Sequence, residues 1–527
     1  MKKALIVFFS TAIIFVGLTT WYYQTHNYFP APKIADFEEK VLGKSYNRAS
    51  NGLRHITLFG GPFKRGFDFG QLTKESLKKQ ELVMEELLHQ FFPNSIALSA
   101  FKVVASIWLY GIDELIDDEF VREMYGVSKW GYHKLDYLSD SLTRQVSYHL
   151  LHEIGQMFVD YNKQDMGCSV FSIKNGSQFI IGRNFDFDAH EIFEKEKLLK
   201  WVFPDQGIPF VSVSWPGMVG SVTGVNKAGI YASINAAGSS DFGRIGTPTT
   251  LLLTKVLQRA PSIEAAIKTI EAAQTFITDI FVIADRKNGR VVAIEKSPSR
   301  FSVRELGSDQ VVTNHLLTSI FQDDQTNSDR QTNLTTLKRY NRGLELLGLG
   351  KPFHIKTIAS FLRDKKLVGN RQTYLGHKAS INPLIASHSV IYQSASDTLF
   401  VNEGPNTAGK YFGYNLKASF ENKRPILTSF IEKDMELSAQ KIENVKRAVV
   451  LADEGISLVK TDCPMAGERL KLSKQKYPEH ENVKLLEALV EKYCKKNLQK
   501  SSQLFKELIR SNPAYHNQSK RYQNEIN

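Results

Sequence analysis

The residues best suited to chemistry are a cysteine and an arginine on two neighbouring stretches of predicted strand. Cys168 follows Gly167 in a short apolar run, and Arg183 lies within the run 182–186, which reads Gly-Arg-Asn-Phe-Asp. Between the two runs, Asn175-Gly176 is the strongest short signal for a β-hairpin turn. With these two as the turn residues, Cys168 lies directly opposite Arg183 on one face of the hairpin. A guanidinium beside a thiol favours the thiolate, so the pattern predicts a cysteine nucleophile.

These motifs resemble the N-terminal-nucleophile hydrolases of the choloylglycine hydrolase and penicillin acyltransferase type, with acid ceramidase as a more distant relative. In that group a cysteine exposed by self-cleavage is followed about 15 residues later by Gly-Arg-Asn-x-Asp, as at 167–168 and 182–186 here. The resemblance covers roughly residues 55 to 420. Further matching pieces follow the order of the group, at 60–70, 224–230, 233–235, 313–315 and 328–330.

An internal cysteine has no free amine, so the resemblance implies that activity begins with cleavage of the Gly167–Cys168 bond. We predict that the Cys168 thiol attacks the Gly167 carbonyl and forms a thioester, which water then opens. The new α-amine has a pKa of roughly 8 beside a thiol of roughly 8.5. Such an amine can act as the general base for its own thiol.

The resemblance also assigns roles to five further residues. Arg183 would bias the sulfur toward thiolate and hold a substrate group, and Asp186 would orient the amine. In an ideal strand Asp186 faces away from Arg183, so this role requires a bend or bulge after Asn184. The remaining candidates are the amides of Asn235 and Asn314 as oxyanion donors, and Arg330 as a support for the cysteine or a binder of the substrate's polar end.

Each candidate also has a purely structural interpretation. A cysteine in a strand is ordinarily a small buried hydrophobe, and asparagines at strand ends often serve in turns. Arg183 could be an edge-strand surface charge, and Asp186 could simply close a turn. Arg330 ends the polar run 323–330, which is equally typical of a helix N-terminus.

The function implied is a hydrolase or acyltransferase that cleaves N-acyl amides of small molecules, with no metal or organic cofactor. Two alternatives remain open: a phospholipase-like esterase on the same scaffold, and a non-catalytic envelope scaffold whose C-terminal helices bind a partner protein. The formal charge is +12, but the basic residues are interspersed with acids and no recognition motif accompanies them. The sequence therefore argues against a nucleic-acid partner.

The beginning of the sequence indicates export. Lys2 and Lys3 precede a mostly apolar stretch from Ala4 to Tyr23, whose 20 residues are enough to cross a bilayer. The charges favour an inside N-terminus and a body on the extracytoplasmic side, at the periplasm or cell surface. We expect an uncleaved signal anchor that tethers the protein to the membrane; the alternative is a removed signal peptide and secretion. If Cys168 is the nucleophile, Cys463 and Cys494 are the only cysteines left to pair.

Four segments follow from composition and periodicity. Residues 1–30 form the signal segment, and 31–167 form a helical segment that becomes the small chain after processing and stays packed on the rest. Residues 168–430 form the hydrolase domain, with strands predicted at 168–173, 178–183, 210–214, 219–225, 229–234, 280–285, 291–296, 388–393 and 398–402. By resemblance its fold class is α+β, a four-layer αββα sandwich with two stacked antiparallel sheets. Residues 431–527 form a helical extension, either a plain helical hairpin or a tetratricopeptide-like unit.

Overall fold

The computed structural model describes residues 31–32, 44–162, 167–511 and 513–526. The predicted signal anchor, Ala4 to Tyr23, lies outside these residues. Within the described ranges, no single helix is long and apolar enough to cross a membrane. One bent pair, Pro62–Phe91 with Ser95–Trp108, meets that test when the two helices are taken together, by length and composition only.

Sixteen strands form two sheets in the described part of the chain. In chain order they are β1 Tyr46–Ser50, β2 Leu53–Gly60, β3 Gly167–Asn175, β4 Gln178–Asp186, β5 Leu198–Pro204, β6 Phe210–Ser214, β7 Thr223–Asn226, β8 Ile230–Ala236, β9 Asp279–Asp285, β10 Arg290–Lys296, β11 Phe301–Glu305, β12 Gln310–Val312, β13 Ala386–Gln393, β14 Thr398–Asn402, β15 Tyr411–Asn415 and β16 Leu427–Ile431. The nine-stranded sheet has the order β1-β2-β5-β6-β7-β8-β9-β10-β11. The seven-stranded sheet has the order β12-β3-β4-β13-β14-β15-β16.

Helices precede, interrupt and follow the strands. They are α1 Pro62–Phe91, α2 Ser95–Trp108, α3 Asp118–Ser128, α4 Ser141–His149, α5 Leu151–Asn162, α6 Ile192–Lys195, α7 Thr249–Arg259, α8 Ile263–Ala272, α9 Gln325–Asn333, α10 Thr336–Leu347, α11 Ile355–Leu362, α12 Leu416–Asn422, α13 Ala439–Leu458, α14 Cys463–Lys476, α15 Glu481–Leu489, α16 Leu498–Arg510 and α17 His516–Ile526. Several begin at side-chain caps, as at Asp140, Ser262 and Asp324, which satisfy free main-chain N–H groups.

The two sheets stack face to face, with apolar side chains from both filling the space between them. Val170 and Ile181 of one sheet join Trp201 and Val211 of the other in this inner core. Helices α7 and α8 cover the outer face of the nine-stranded sheet, and α10 and α11 cover that of the seven-stranded sheet. The predicted α+β class with four αββα layers is confirmed.

Two details of the prediction are wrong. The segment 31–167 was expected to be helical, yet it contains β1 and β2, and β2 pairs in parallel with β5. The nine-stranded sheet is therefore not wholly antiparallel. Parallel neighbours require a long crossover connection, and here the chain between β2 and β5 passes through the upstream helices and the β3–β4 hairpin. A pairing this distant in sequence leaves no local signal.

The glycine-rich segment 60–70 has a packing role. A Cβ at Gly66 would lie 1.8 Å from the main-chain oxygen of Glu123, and one at Gly126 would lie 2.3 Å from that of Phe63. The main chains of α1 and α3 therefore touch at a crossing that only glycine allows. The two helices, together with α4, pack against Ile56 and Leu58 of β2.

Helices α13 to α17, residues 439–526, make up the C-terminal extension. They share a hydrophobic core of their own. Cys463 and Cys494 form a disulfide with their Cα atoms 5.4 Å apart, which joins the start of α14 to the turn that follows α15. The extension docks on the domain through Leu437, Ile442 and Val445, which pack against Leu384 and Ala408.

Candidate active site

The β3–β4 hairpin brings Cys168 and Arg183 together, but in a register two residues away from the predicted one. Cys168 pairs with Phe185, and Arg183 pairs with Val170. The turn residues are Gly176 and Ser177, and only Gly176 has a positive φ, of 61°. This is the pattern of a type II′ turn, whereas Asn175-Gly176 in a type I′ turn would require positive φ at both. Because side chains alternate with a period of two, the shift leaves Cys168 and Arg183 on the same face as diagonal neighbours.

Arg183 lies next to the sulfur and is fixed by other groups. Its Nη2 is 3.8 Å from Cys168 Sγ, and the same nitrogen donates to the main-chain oxygen of Ile234. Its Nη1 donates to Thr223 Oγ1 and approaches His388 Nε2 at 3.2 Å. Arg183 is fully buried, so its position is set by these partners and by the Phe185 ring, 5.0 Å from Cζ.

The protonation states around Arg183 follow from burial. Burial and the neighbouring Arg183 hold the pKa of His388 well below its ordinary value, so the imidazole is neutral and accepts through Nε2. Burial raises the pKa of the Cys168 thiol, Arg183 lowers it, and Asp186 raises it again. The net pKa is above the ordinary value, so the thiol of the uncleaved chain is protonated at neutral pH. Its activation requires a base.

The main-chain nitrogen and oxygen of Cys168 are held by side chains other than Arg183, which lies at the sulfur. Its N–H donates to Asn314 Oδ1 at 2.8 Å, and its carbonyl oxygen accepts from Arg339 Nη1 at 2.6 Å. Arg339 Nη2 also donates to Asn314 Oδ1, at 2.7 Å, while Asn314 Nδ2 donates to the oxygen of Ala236 at 2.8 Å. Two donors on one end of the amide and an acceptor on the other fix its orientation. Asn314 thus presents its oxygen to the nitrogen that cleavage would release.

Arg339 is the residue that sequence reasoning missed. It is fully buried, and Nε and Nη1 also donate to Thr335 Oγ1 and Ser169 Oγ, both at 3.1 Å. Predicted Arg330 lies nine residues earlier, in α9, with its guanidinium against Gly238. A signal was present: Arg339 falls on the inward stripe of α10 with Thr336, Gly343 and Leu346. An arginine among positions spaced three and four apart is unusual on a buried helix face.

Asp186 approaches the Gly167–Cys168 peptide without the predicted bend. It pairs regularly with Gly167 across β3–β4, and the register shift at this level lies in β13, between Ala386 and His388. A Cβ on Gly167 would lie 3.2 Å from Asp186 Oδ2 and 3.5 Å from Arg339 Cζ. Glycine thus lets a carboxylate and a guanidinium come close to the bond. Asp186 lies on the same face of the hairpin as Gly167, which is the face opposite the Cys168 sulfur. Its predicted role in orienting the amine stays a prediction.

Asn235 supports the loop that carries Asn314. Its Nδ2 donates to the main-chain oxygen of Thr313 at 2.9 Å, and its Oδ1 has no hydrogen-bond partner within the described ranges. Both predicted asparagines therefore reach the site, but in the uncleaved chain their amide nitrogens bind main-chain oxygens. Their predicted service as oxyanion donors stays a prediction for the processed enzyme.

An aromatic cavity borders Phe185, the residue opposite Cys168 in the hairpin. Its volume is about 60 Å³. Its lining is mainly apolar, with polar groups contributed by α4 and α5 of the upstream segment. Its walls include Phe185, Phe187, Phe193, Trp215, His149 and His152.

The polar side of the cavity rests on a buried charged cluster. His152 Nε2 lies 3.0 Å from Asp279 Oδ1, and Thr249 N donates to Glu153 Oε1 at 2.5 Å. Burial alone would lower the pKa of His152, but Asp279 raises it above the ordinary value. Burial raises the pKa of Glu153 to about 7. The cluster joins α5, upstream of the predicted cleavage point, to β9 and α7 of the domain.

Residues 173–364 match the family described as acyl-coenzyme A:6-aminopenicillanic acid acyl-transferase. The match spans roughly a third of the 527 residues and includes Arg183, Asp186, Asn235, Asn314 and Arg339. It confirms the predicted resemblance.

A curated relative and several solved structures are also similar. An uncharacterized protein of Archaeoglobus fulgidus is 25% identical over 274 residues, which cover 48% of this chain and 45% of the relative. The chain thus spans less than half the length of that relative.

Three solved structures cover about half of this chain and nearly all of their own. The Caenorhabditis elegans ortholog of N-acylethanolamine-hydrolyzing acid amidase is 16% identical with a TM-score of 0.33, covering 50% of this chain and 100% of its own. A variant of Clostridium perfringens conjugated bile acid hydrolase is 12% identical with a TM-score of 0.31, covering 52% and 99%. Penicillin V acylase of Agrobacterium tumefaciens is 15% identical with a TM-score of 0.30, covering 50% and 99%. Similarities with TM-scores this low give no information on the substrate of this protein.

Proposed function

We propose, since this chain carries a domain of the acyl-coenzyme A:6-aminopenicillanic acid acyl-transferase family, that it is a self-processing cysteine hydrolase or acyltransferase of N-acyl amides. The acyl group passes to Cys168 as a thioester and then to water or to an acceptor amine. The observation that carries the proposal is the set of contacts on the Cys168 main chain. Its nitrogen and its oxygen are each held by a buried side chain, Asn314 and Arg339.

Processing follows from these contacts. The Cys168 sulfur attacks the carbonyl carbon of Gly167, the C–N bond breaks, and the nitrogen of Cys168 takes up a proton as a free amine. Water then opens the thioester, which returns the thiol and leaves a carboxylate on Gly167. Asn314 Oδ1 already accepts from this nitrogen, so the amine is released into a prepared position. The absence of a side chain at Gly167 leaves its carbonyl open to attack.

Turnover uses the released amine. Held by Asn314, it takes the proton of the thiol, while Arg183 stabilises the developing thiolate at its distance of 3.8 Å. The substrate carbonyl then takes the place that the Gly167 carbonyl held before cleavage. The amide C–N bond breaks, and the protonated amine of Cys168 returns the proton to the leaving nitrogen.

The aromatic cavity supports the proposal that the acyl group of the substrate is apolar. Phe185 lies opposite Cys168 in the hairpin and forms part of the cavity wall together with Phe187, Phe193 and Trp215. Aromatic walls of this kind suit an alkyl or aryl chain. An acyl carbonyl placed at the sulfur would direct its chain into this space.

An extracytoplasmic location belongs to the same proposal, with the protein tethered by Ala4 to Tyr23 or secreted after their removal. The disulfide between Cys463 and Cys494 supports it, because such bonds persist mainly in oxidising compartments. Fractionation of cells that produce the full chain, followed by detection of the large chain, tests the location. Recovery of the processed chain from the cytoplasm would contradict it.

Intact-mass measurement and N-terminal sequencing of purified protein test the function. We expect a large chain that begins at Cys168 in the natural protein, and one uncut chain without turnover in Cys168→Ala. Ser172→Ala is the matched control, because Ser172 lies in the same strand and its buried hydroxyl has no hydrogen-bond partner among the described residues. Matched amide and ester substrates with one acyl group separate an amidase from an esterase. A fully active protein in which residues 167 and 168 remain joined would contradict the proposal.

A further inference from the structure

The C-terminal extension reaches the domain close to the nucleophile. Lys338 in α10 donates from Nζ to the main-chain oxygens of Pro513 and Ala514, at 3.0 and 2.8 Å. The next residue along α10 is Arg339, which donates to the carbonyl oxygen of Cys168. One helix therefore binds both the extension and the main chain of the nucleophile.

Tyr515, which follows Ala514 in the chain, also packs on the domain. Its half-buried side chain packs in one apolar cluster with Ala236, Leu334 and Phe187. The oxygen of Ala236 accepts from Asn314 Nδ2, and Phe187 lines the aromatic cavity. Tyr515 therefore shares an apolar cluster with Phe187, a residue of the cavity wall, and is linked to Cys168 through Ala236 and Asn314. The family match ends at residue 364, so this contact is supplied by a part of the chain beyond it.

We propose that Tyr515 is a specificity-determining residue that contacts the amine part of the substrate; this inference rests on the proposed function. The cavity at Phe185 encloses the acyl part on one side of the sulfur. Phe187 stacks on Phe185 with ring centroids 6.1 Å apart and belongs to the same apolar cluster as Tyr515. The amine part leaves the enclosed space past Phe187 and meets the half-buried tyrosine ring. An aromatic ring at that place favours a bulky uncharged amine, for which it provides contact area at little conformational cost.

The test compares two substrates that share one acyl chain, a primary amide and an amide of an aromatic amine. Tyr515→Ala should lower kcat/KM for the aromatic amide about tenfold relative to the primary amide, mainly through KM. Tyr515→Phe keeps the ring and should keep the ratio within about twofold. His516→Ala is the matched control, because His516 is the adjacent residue and its side chain is exposed.

A purely structural role for Tyr515 would give a different result. If the tyrosine only anchors the extension, both substrates would lose rate equally, and the melting temperature and the extent of processing would fall with them. An unchanged substrate ratio in Tyr515→Ala overturns the inference while leaving the proposed function in place. Failure of the natural protein to turn over any amide overturns both.

Discussion

The two sides of Cys168 are built differently. On the sulfur side a single guanidinium lies 3.8 Å from Sγ, and that guanidinium is itself occupied by Thr223, Ile234 and His388. On the main-chain side, contacts of 2.8 and 2.6 Å hold the nitrogen and the oxygen. The hydrogen bond from the charged Arg339 to the Cys168 oxygen is of the strong kind, whereas a thiol is a weak donor and acceptor. The protein therefore holds the main-chain atoms of Cys168 more firmly than its sulfur.

Under the proposed function, this difference bears on two events that use the same residue. Both begin with attack by the Cys168 sulfur beside Arg183. Cleavage of the chain would depend in addition on how well Asn314 and Arg339 hold the Gly167–Cys168 peptide. Variants of the two arginines should therefore affect the two events unequally.

The largest effect is expected from Arg339→Lys. An ammonium cannot reach Cys168 O, Ser169 Oγ, Asn314 Oδ1 and Thr335 Oγ1 together, so the peptide loses its fixed geometry. The rate of processing, followed by the appearance of the large chain on denaturing gels, should fall about 10²- to 10³-fold. Arg342→Lys in the same helix is the control, because Arg342 binds Glu345 and Asp364 and not the nucleophile. Equal slowing in both variants would contradict the assignment of Arg339.

A smaller and more selective effect is expected from Arg183→Lys. Processing should be retained within about tenfold, because the attack on Gly167 is intramolecular and Asn314 and Arg339 still hold the peptide that is attacked. Turnover of the processed enzyme should fall about 10²-fold, since a lysine cannot bind Thr223, Ile234 O and the sulfur at once. Single-turnover assays on protein allowed to process fully separate the two steps. Loss of processing greater than loss of turnover would reverse the comparison between the two sides.

Thr223→Val tests how firmly Arg183 must be held. Thr223 Oγ1 accepts from Arg183 Nη1 and lies 2.9 Å from His388 Nε2, so the hydroxyl joins the two side chains. Valine has nearly the same shape but leaves both groups without this partner. We expect turnover to fall about tenfold with processing unchanged, measured with the same two assays. A variant as active as the natural protein would show that Ile234 O and Phe185 suffice to place the guanidinium.

The smallest effect is expected from Glu153→Gln. This substitution removes a buried titrating group that contacts neither the sulfur nor the main chain of Cys168. The pKa of Glu153 is raised from 4.5 to about 7 in the folded protein, so the folded state binds the proton more tightly than the unfolded state. Stability should therefore decrease as the pH rises from about 4.5 to 7, and glutamine should remove that decrease. Melting temperatures at about pH 5 and pH 8 should differ by a few degrees less in the variant. His152, whose raised pKa acts in the same direction, accounts for the remaining slope. An unchanged difference would mean that Glu153 does not titrate in this range.

The sequence correctly predicted that Cys168 and Arg183 lie together, although it predicted the wrong register for the hairpin. Strand geometry tolerates a register error of two residues. The turn lies one residue further along than Asn175-Gly176 indicated, which moves the register by two and preserves the face of Cys168 and Arg183. A slip of one would have separated them. Strands with strong local patterns were also predicted closely, as at Phe210–Ser214 and Thr398–Asn402.

Features that depend on distant pairing escaped prediction. Strand β2 contains His55 and Thr57, whose polar side chains are buried, so its composition did not read as a core strand. Arg339 acts across the sheet on a residue 171 positions earlier, and the resemblance directed attention to Arg330 instead. The spacing within α10 indicates that Arg339 faces inward, but it does not show that this side chain reaches Cys168.

The parallel pairing of β2 with β5 has a consequence for the proposed processing. If the bond before Cys168 is broken, the strand next to β5 belongs to a separate polypeptide, while seven main-chain positions remain paired along it. Loss of the shorter polypeptide would strip an entire sheet edge and uncover Leu198, Val219 and Leu251, which pack in one core with Ile56 and Leu58 of β2. The two pieces should consequently copurify through dilution and high salt and melt in one transition, and only a denaturant should part them.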